Sequence, residues 1–376
     1  MGVHQLAQQQ PAEAGAAEPS TRRLGKIPVR NIWLLMLYAS DLYRTQQLSS
    51  LVAVEEAPDD LPDLVAGLLA DAVERRQRRQ LSLGYRSREA TLDRVRGRID
   101  WLQTERHQLL SRGKVACRFD ELTIDTPRNR FVRAALERIA GKVNGRGLAQ
   151  RCKMLAEDLK MMGVRGDMPS RRQIDTDRFG RHETDDRSMV AAAKLAFDLS
   201  MPTEDGGHHH IVLPARNIHW VRLLFEKAVL GFYEVNLKTG GWRVKGGKWL
   251  SWPVKHSSGA IDQILPSMQT DIILDQPACG RRIVIDTKFT TLLIRGRHGK
   301  DSLSSNYLYQ IYAYLRSQVG QGDHLADEAS GLLLHPAVDD EIDEWVEIQG
   351  HRIQFSTVDL ANSAHDIRQR LMDVIV

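Results

Sequence analysis

The chain has 376 residues, of which 42% are hydrophobic and 27% charged, and its formal net charge is +4. Length and composition are those of a globular protein of two or three domains. No apolar run reaches the roughly 20 residues that span a bilayer, which excludes a membrane-spanning chain and predicts a cytoplasmic location. Three scattered cysteines match no zinc-binding spacing, and the mild positive charge is compatible with nucleic acid without requiring it.

The N-terminal half is predicted to be an α+β domain over residues 27–200, preceded by a disordered leader at residues 1–26 that is rich in Ala, Gln, Glu and Pro. A helix is expected over residues 61–80, because Pro62 suits its first turn and apolar residues recur along one face. Residues 81–122 alternate in the manner of strands. Further helices are expected at residues 128–143, 148–162 and 187–199.

The C-terminal half, residues 201–376, follows a different order of elements. An amphipathic helix is expected at residues 217–235, and a tryptophan-bearing hairpin within GGWRVKGGKWLSWPV. Two strands follow within TDIILDQPACGRRIVIDTKF. The remaining predicted elements are a helix at residues 305–319, strands at 330–338 and 351–358, and a helix at 360–375.

The two neighbouring strands carry charged residues at adjoining ends. Asp271 opens the first strand, and Asp286, Thr287 and Lys288 end the second. Side chains alternate along a strand, so Asp286 and Lys288 lie on one face. A turn at DQPACG allows the strands to pair, which brings Asp271 and Asp286 together with Lys288 beside them. The same Asp-x-Lys spacing at Asp158 lies within a predicted helix and is interpreted as an exposed pair.

Two facing carboxylates repel each other unless a hard cation such as Mg²⁺ lies between them, and Mg²⁺ prefers oxygen ligands. A neighbouring lysine can orient an attacking water or stabilise charge that develops on phosphorus, so the group fits metal-assisted phosphodiester hydrolysis. A structural salt-bridge cluster between the strands is the alternative. The spacing alone fits both interpretations.

Two predicted helices add polar side chains to this group. Glu226 lies on the helix before the strands, and the apolar face of that helix would hold it against the sheet, where the carboxylate can reach the metal. A surface pair with Lys227 is the alternative interpretation. Gln310 and Tyr314 are four residues apart on one face of the later helix, where they can hold a phosphate or order a water.

These features resemble a known nuclease pattern. A helical Glu226, then TD at residues 270–271, IDTK at residues 285–288 and the helix of Gln310 are similar to the PD-(D/E)xK fold, with Thr270 in the position of the proline. The wider chain resembles the McrC family through IPVRNIWLLMLYASDL, RVRGRID, CRFDELTIDTPRNRFVRAAL and LFEKAV. The resemblance implies an α+β N-terminal adaptor domain followed by an α/β PD-(D/E)xK nuclease domain with a mixed sheet flanked by helices.

Members of the McrC family are nuclease subunits of McrBC-type restriction systems, which defend against foreign DNA carrying modifications such as 5-methylcytosine. The resemblance implies a Mg²⁺-dependent endonuclease, with Mn²⁺ as a substitute, that cuts double-stranded DNA. It also implies a ring-forming AAA+ GTPase of the McrB type as translocating partner, whose GTP hydrolysis the chain stimulates, and dimerisation through the nuclease domains. It assigns catalysis to Asp271, Asp286, Lys288, Glu226 and Gln310. It assigns the metal to Asp271, Asp286, Thr287 and Glu226.

The chain also lacks the parts of a motor. The string GGWRVKGGKW is not a P-loop, because a required glycine is missing and Trp249 stands where Ser or Thr would bind Mg²⁺. Arg94, Arg96 and Arg98 within RVRGRID are expected to reach the nucleotide site of the partner, where an arginine can stabilise phosphoryl transfer. An exposed strand with a bulge at Gly97 is the alternative.

Two other features are interpreted as structural. Three histidines at residues 208–210 are expected to form a polar loop rather than a metal site, since adjacent residues rarely converge on one ion. Trp242, Trp249 and Trp252 are expected in the core rather than stacked on bases. The alternative function, from a different class, is a non-catalytic adaptor that activates and bridges an AAA+ motor. A freestanding Mg²⁺ nuclease without a motor is a third interpretation.

Overall fold

The computed structural model describes residues 23–24, 27–45, 60–180, 182–200, 215–288, 293–295, 301–337 and 341–375. The predicted leader lies outside the described residues except for Arg23–Leu24, a short strand that pairs with Ile27–Pro28. The histidines at residues 208–210 also lie outside them. In the part of the chain that is described, no helix has the length and apolarity needed to cross a membrane.

The described helices confirm most of the sequence-based predictions. In chain order they are α1 (Val29–Ala39), α2 (Asp41–Thr45), α3 (Leu61–Arg79), α4 (Trp101–Arg106), α5 (Pro127–Ile139), α6 (Arg146–Met162), α7 (Arg171–Asp175), α8 (Thr184–Ser200), α9 (Ala215–Asn236), α10 (Ser305–Arg316), α11 (His324–Asp327) and α12 (Ala364–Asp373). The predicted helices at 61–80, 148–162, 187–199 and 217–235 correspond to α3, α6, α8 and α9. The short helices α4, α7 and α11 are too brief for a periodic pattern to indicate them.

The described strands form one large sheet and several small ones. In chain order they are β1 (Arg23–Leu24), β2 (Ile27–Pro28), β3 (Gly84–Leu92), β4 (Arg98–Ile99), β5 (Val115–Thr123), β6 (Arg243–Gly246), β7 (Trp249–Leu250), β8 (Met268–Gln269), β9 (Ile272–Gln276), β10 (Arg281–Thr287), β11 (Leu293–Arg295), β12 (Asp301–Leu303), β13 (Ser330–Ala337), β14 (Asp343–Ile348) and β15 (His351–Asp359).

Helices α3, α5, α6 and α8 pack together in the N-terminal half. The basic end of α3 is tied to the acidic start of α8 by charge-assisted hydrogen bonds. Arg76 donates to both carboxylate oxygens of Asp186, at 2.7 and 3.1 Å, and Arg79 donates to Asp185 at 2.9 Å. Each charge also complements the dipole of its own helix end. This part of the basic run is therefore structural.

Two arginines at the start of α5 are also structural. Arg130 donates two hydrogen bonds of 2.8 Å to the carboxylate of Asp125, just before the helix. Arg128 contacts Asp177 and Glu183, which holds the segment between α7 and α8 against α5. Guanidinium groups suit such paired contacts because of their planar donor geometry. Both arginines are therefore engaged by carboxylates of the same chain.

A three-stranded antiparallel sheet in the order β3–β5–β4 projects from this half. Gly97 precedes β4 with a φ of +66°, a conformation that favours glycine. A Cβ at this position would lie 2.5 Å from the carbonyl oxygen of Arg118, so a side chain would clash with the neighbouring strand. The bend predicted at this glycine is confirmed.

The large sheet has six strands in the order β14–β15–β13–β10–β9–β6. β13 pairs in parallel with β10 and with β15, while the other pairs are antiparallel, so the sheet is mixed. Ile285 and Leu334 face a core shared with α9, α12 and the N-terminal helices, and Val284 and Leu333 face a second core under α10. The predicted mixed sheet flanked by helices is confirmed.

The predicted tryptophan-bearing hairpin is wrong. β6 pairs with β9 at the edge of the large sheet, whereas β7 pairs with β8. Gly247 separates β6 from β7 with a φ of +63°, and the chain changes direction there instead of folding back on itself. β14 was not predicted, because its sequence DEWVEI belongs to an exposed edge strand without an apolar face.

Helix α9 joins the two halves of the chain. Gly231 on α9 lies against α1, and a Cβ there would be 2.0 Å from the carbonyl oxygen of Tyr38. Asn31 on α1 donates hydrogen bonds to the carbonyl oxygens of Leu360 and Asn362, at 2.7 and 2.9 Å. One hydrophobic core runs from α1 to the large sheet, so α9 is held by both halves. The domain boundary near residue 200 stays a prediction.

Candidate active site

The pairing of β9 with β10 places Asp271 beside Thr287. The two strands are antiparallel and Ile272 is the partner of Ile285, so Asp271 and Asp286 follow at adjoining ends of the ladder. The backbone N–H and the hydroxyl of Thr287 both donate to Oδ2 of Asp271, at 2.7 and 2.9 Å. These two hydrogen bonds fix the orientation of the Asp271 carboxylate before any ligand binds.

Asp286 and Lys288 form a buried ion pair at the end of β10. Asp286 is 0% exposed, and Nζ of Lys288 lies 3.0 Å from its Oδ1 and 2.9 Å from its Oδ2. Only the Oδ1 contact has the geometry of a hydrogen bond, so Oδ2 accepts none from the described residues. Burial raises the pKa of Asp286 to about 6, against the opposing effect of Lys288 and with a further rise from Asp271.

Glu226 approaches from the opposite side of the sheet, on α9. Its neighbours Phe225 and Val229 are buried, which sets the rotation of the helix and leaves Glu226 half-buried. Burial and then the charge of Asp271 raise the pKa of Glu226, while Lys288 is among the cations that lower it. The part of Glu226 as a further ligand stays a prediction.

Helix α10 closes the other side of the group. Nε2 of Gln310 donates to the phenol oxygen of Tyr314 at 2.6 Å, and Tyr314 is buried. Burial raises the pKa of Tyr314, the hydrogen bond with Gln310 opposes this rise, and the charges of Asp286 and Asp271 add to it. Nζ of Lys288 lies 5.7 Å from the ring centre of Tyr307. The ring of Tyr309 on the same helix is exposed.

The group at the two strand ends is rich in the oxygen atoms that a Mg²⁺ ion would need. Within the described residues, no three Asp, Glu, His or Cys side chains converge closely enough to hold a metal ion. Two carboxylates with backbone oxygen nearby match the donors that Mg²⁺ prefers, because it keeps several waters of its own. Oδ2 of Asp286 is a buried acceptor without a hydrogen bond, although the ammonium of Lys288 lies 2.9 Å from it. The donor atoms are thus of the kind that suits Mg²⁺, and its binding here stays a prediction.

Arg94, Arg96 and Arg98 lie far along the chain from this group, next to β4 of the small sheet, and all three are exposed. The guanidinium of Arg96 stacks on the ring of Phe119 at 4.1 Å, which confirms a structural part for one of them. Among the described residues, none of the three forms an ion pair with a carboxylate. Their contact with a partner stays a prediction.

One basic residue near the site was not predicted. Arg222 is exposed on α9, one turn before Glu226, and its charge lowers the pKa of both Glu226 and Asp286. The signal in the sequence was the i, i+4 spacing of Arg222 and Glu226, which places both on one helical face. Without the rotation of α9 against the sheet, that spacing could not be told from an ordinary surface pair.

Of the three tryptophans, two are packed and one is not. Trp242 lies against the core of the large sheet, and Nε1 of Trp252 donates to the carbonyl oxygen of Pro266 at 2.7 Å. Trp249, by contrast, is 64% exposed. The expectation of core packing is confirmed for Trp242 and Trp252 and is wrong for Trp249.

Comparison with known proteins adds a family. The sequence model described as "McrBC 5-methylcytosine restriction system component" matches residues 10–334. The type IV methyl-directed restriction enzyme EcoKMcrBC of Escherichia coli (strain K12) is 26% identical over 350 residues, which cover 93% of this chain and 97% of that protein.

Two solved structures were also found to be similar. A refined half-complex from the tetradecameric assembly of Thermococcus gammatolerans McrB AAA+ hexamers with bound McrC has a TM-score of 0.42 and 16% identity, covering 92% of this chain and 76% of that chain. The cryo-EM structure of the Thermococcus gammatolerans McrBC complex has a TM-score of 0.31 and 19% identity, covering 47% and 52%. Because both scores are below 0.5, the assignment depends on the sequence match. The chain belongs to the McrBC 5-methylcytosine restriction system component family, as its resemblance to McrC predicted.

Proposed function

We propose that this chain is the metal-dependent endonuclease subunit of an McrBC-type restriction system. Residues 201–376 form a PD-(D/E)xK-like nuclease domain and residues 27–200 an adaptor domain. The observation that carries the proposal is Asp286, a fully buried carboxylate with a raised pKa beside Lys288 and next to Asp271. Perturbed, desolvated carboxylates of this kind cluster at functional sites. The substrate is double-stranded DNA with modified cytosine, in the cytoplasm.

The metal ligands are assigned from the oxygen atoms that meet at the two strand ends. Asp271, Asp286 and the carbonyl of Thr287 would hold Mg²⁺, or Mn²⁺ in its place. Glu226 on α9 would be a further ligand only if it came closer to the two aspartates than it lies in this structure. When bound, the metal neutralises the facing carboxylates and polarises the phosphodiester. Thr287 keeps the Asp271 carboxylate in a fixed orientation, which lowers the cost of organising the site.

The other residues act on water and phosphate. Lys288 is 6% exposed, and its ammonium is placed to orient the attacking water and to stabilise charge on phosphorus. The pair of Gln310 and Tyr314 borders the same space and orders the phosphate. In the reaction the water oxygen bonds to phosphorus and gives up a proton, while the bond to the 3′ oxygen breaks in line and that oxygen leaves with a proton.

The small sheet supports the adaptor part of the proposal. It carries three exposed arginines, and large apolar side chains near them in the sequence are also exposed, with Val95 59% and Leu102 78% accessible. Such apolar surface beside unpaired positive charge suits a protein partner. The partner proposed is a McrB-type AAA+ GTPase, with Arg94, Arg96 and Arg98 as the residues that stimulate GTP hydrolysis. Cutting both DNA strands needs two active sites, so we also propose dimerisation through the nuclease domains.

Cleavage of methylated and unmethylated plasmid tests the proposal. The chain is incubated with Mg²⁺, alone or with the McrB-type GTPase of the same organism and GTP. We expect cleavage of methylated plasmid only in the complete mixture, and none with Asp286→Ala. The matched control is Asp158→Ala, an exposed aspartate in the second Asp-x-Lys sequence. Cleavage by Asp286→Ala at the wild-type rate would overturn the assignment of the site.

A non-catalytic adaptor is the second candidate, and one observation favours it. Both carboxylates already have partners, Thr287 for Asp271 and Lys288 for Asp286, as in a structural cluster. This candidate predicts that Asp286→Ala leaves restriction in cells intact, while the chain raises the GTPase rate of the partner. The same variant therefore distinguishes the two functions.

A further inference from the structure

Backbone hydrogen bonds join the segment Gly246–Leu250 to Asp271 and to the residues before and after it. Gly246 is the β6 partner of Ile272, and the N–H of Gly247 donates to the carbonyl oxygen of Asp271 at 2.9 Å. On the other side, the N–H of Thr270 donates to the carbonyl oxygen of Lys248 at 3.0 Å. The backbone of this segment is therefore fixed relative to the candidate metal ligand.

The side chains of the segment alternate between core and solvent. Leu250 is buried against the core under α10, whereas Trp249 is 64% exposed. Trp249 is the β7 partner of Gln269, two residues before Asp271. At about 3.4 Å per residue, this is about 7 Å along the strand, or about two base steps of DNA. Tryptophan is on average highly buried, so its exposure at this place needs a reason.

The charged residues that surround this segment in the sequence are all basic. Residues 235–261 contain five Lys or Arg and no Asp or Glu. Lys245 is engaged by Asp275 at 3.1 Å, but Lys248 has no ion-pair partner among the described residues. Lys248 lines a small cavity together with Tyr314, whose hydroxyl accepts a hydrogen bond from Gln310. An unpaired ammonium and an exposed indole beside a phosphodiester-cutting site match the two contacts that single strands receive, phosphate pairing and base stacking.

We propose that Lys248 and Trp249 hold the DNA strand beside the scissile phosphate, Lys248 by pairing with a phosphate and Trp249 by stacking on a nearby unstacked base. The inference rests on the proposed nuclease function and says how the same site grips its substrate. Contact with another protein is the alternative role for Trp249, since Ile264, which lies between β7 and β8, is also exposed. The absence of acidic residues from 235–261 favours DNA.

Binding without cleavage provides the test. The full-length chain carrying Asp286→Ala is titrated onto a short fluorescent duplex with 2-aminopurine at successive positions, in about 50 mM salt. Trp249→Ala should weaken binding about 10-fold and abolish the quenching of 2-aminopurine at one position, and Trp249→Phe should keep most of both. Lys248→Ala should reduce, by about one, the slope of the logarithm of the DNA-binding constant against the logarithm of the salt concentration. The control is Trp345→Ala, a 57% exposed tryptophan on the edge strand β14.

The outcomes separate this inference from the proposed function. Wild-type affinity and quenching in Trp249→Ala, or no binding by the starting chain, would overturn the inference. A lower apparent mass of Trp249→Ala in solution, with unchanged DNA affinity, would assign the residue to a contact between copies instead. Cleavage by Asp286→Ala in the plasmid assay concerns the nuclease assignment alone, because stacking is measured here without cutting.

Discussion

Replacing Asp286 by Asn should abolish cleavage and also stabilise the fold at neutral pH. Burial, opposed by Lys288 and reinforced by Asp271, raises the pKa of the Asp286 carboxyl from 3.8 to about 6. A group whose pKa is raised on folding binds more protons in the folded state, so between these two values the free energy of unfolding falls as pH rises. The Asn variant does not titrate there. At 1.36 kcal/mol per pKa unit, its advantage is about 1 kcal/mol at about pH 4.5 and about 3 kcal/mol above about pH 7.

Urea unfolding of both proteins at about pH 4.5 and about pH 7.5 measures this difference as a change in midpoint at constant slope. Asp158→Asn is the control, because this aspartate is exposed and has the same spacing to a lysine. The free energy of unfolding of Asp158→Asn, relative to the wild type, should not rise with pH. An Asn variant at position 286 that is less stable than wild type, and more so at the higher pH, would refute the reasoning. It would mean that folding favours the ionised carboxylate, as in a structural ion pair.

Three further predictions concern metal binding, helix packing and a second ion pair. Mg²⁺ at about ten times its dissociation constant should stabilise the wild type by about 1.4 kcal/mol and leave Asp286→Asn unchanged; thermal unfolding measures this, and equal gains would place the ion elsewhere. Gly231→Ala should cost about 3 kcal/mol, because its Cβ would lie 2.0 Å from a carbonyl oxygen of α1. Gly67→Ala in α3 is the control, because a Cβ there would have no heavy atom within 4 Å, and it should gain about 0.5 to 1 kcal/mol of stability. Equal melting temperatures for the two variants would contradict the packing of α9 against α1. Arg282→Met should cost about 3 kcal/mol in urea unfolding by leaving Asp275 buried without its main cation, and unchanged stability would show the pair to be dispensable.

Elements with a strong period or local partners could be predicted from the sequence. Helix α3 has an apolar face from Leu61 to Val73. β9 and β10 are apolar runs joined by a short turn, so their antiparallel pairing needs no distant information. The prediction that β6 and β7 form a hairpin was wrong for the opposite reason. Each pairs with a segment beyond its own turn, and nothing local distinguishes that arrangement from a hairpin.

The same distinction holds for the candidate site. Asp271, Asp286 and Lys288 could be grouped because two paired strands and the alternation of side chains bring them together. The influence of Arg222 on Asp286 depends on how α9 rotates against the sheet, and the exposure of Trp249 depends on which later strand pairs with β7. Both are tertiary facts that a single sequence does not encode in any short pattern.

Each end of the β9–β10 ladder has a buried aspartate beside a basic residue, and the pKa values of these two aspartates can be compared. At one end, burial acts to raise the pKa of Asp275, but hydrogen bonds from Arg282 and Lys245 outweigh it and the pKa is lowered. At the other end, Lys288 does not outweigh burial, and the pKa of Asp286 is raised. The first arrangement favours the ionised carboxylate and so stabilises the fold at neutral pH, whereas the second opposes it. An ion pair kept only for stability would be expected to resemble the first. Keeping Asp286 ionised in a buried position costs stability. That cost is explained if an additional cation binds there, which supports the proposal that Asp286 is a metal ligand rather than part of a structural cluster.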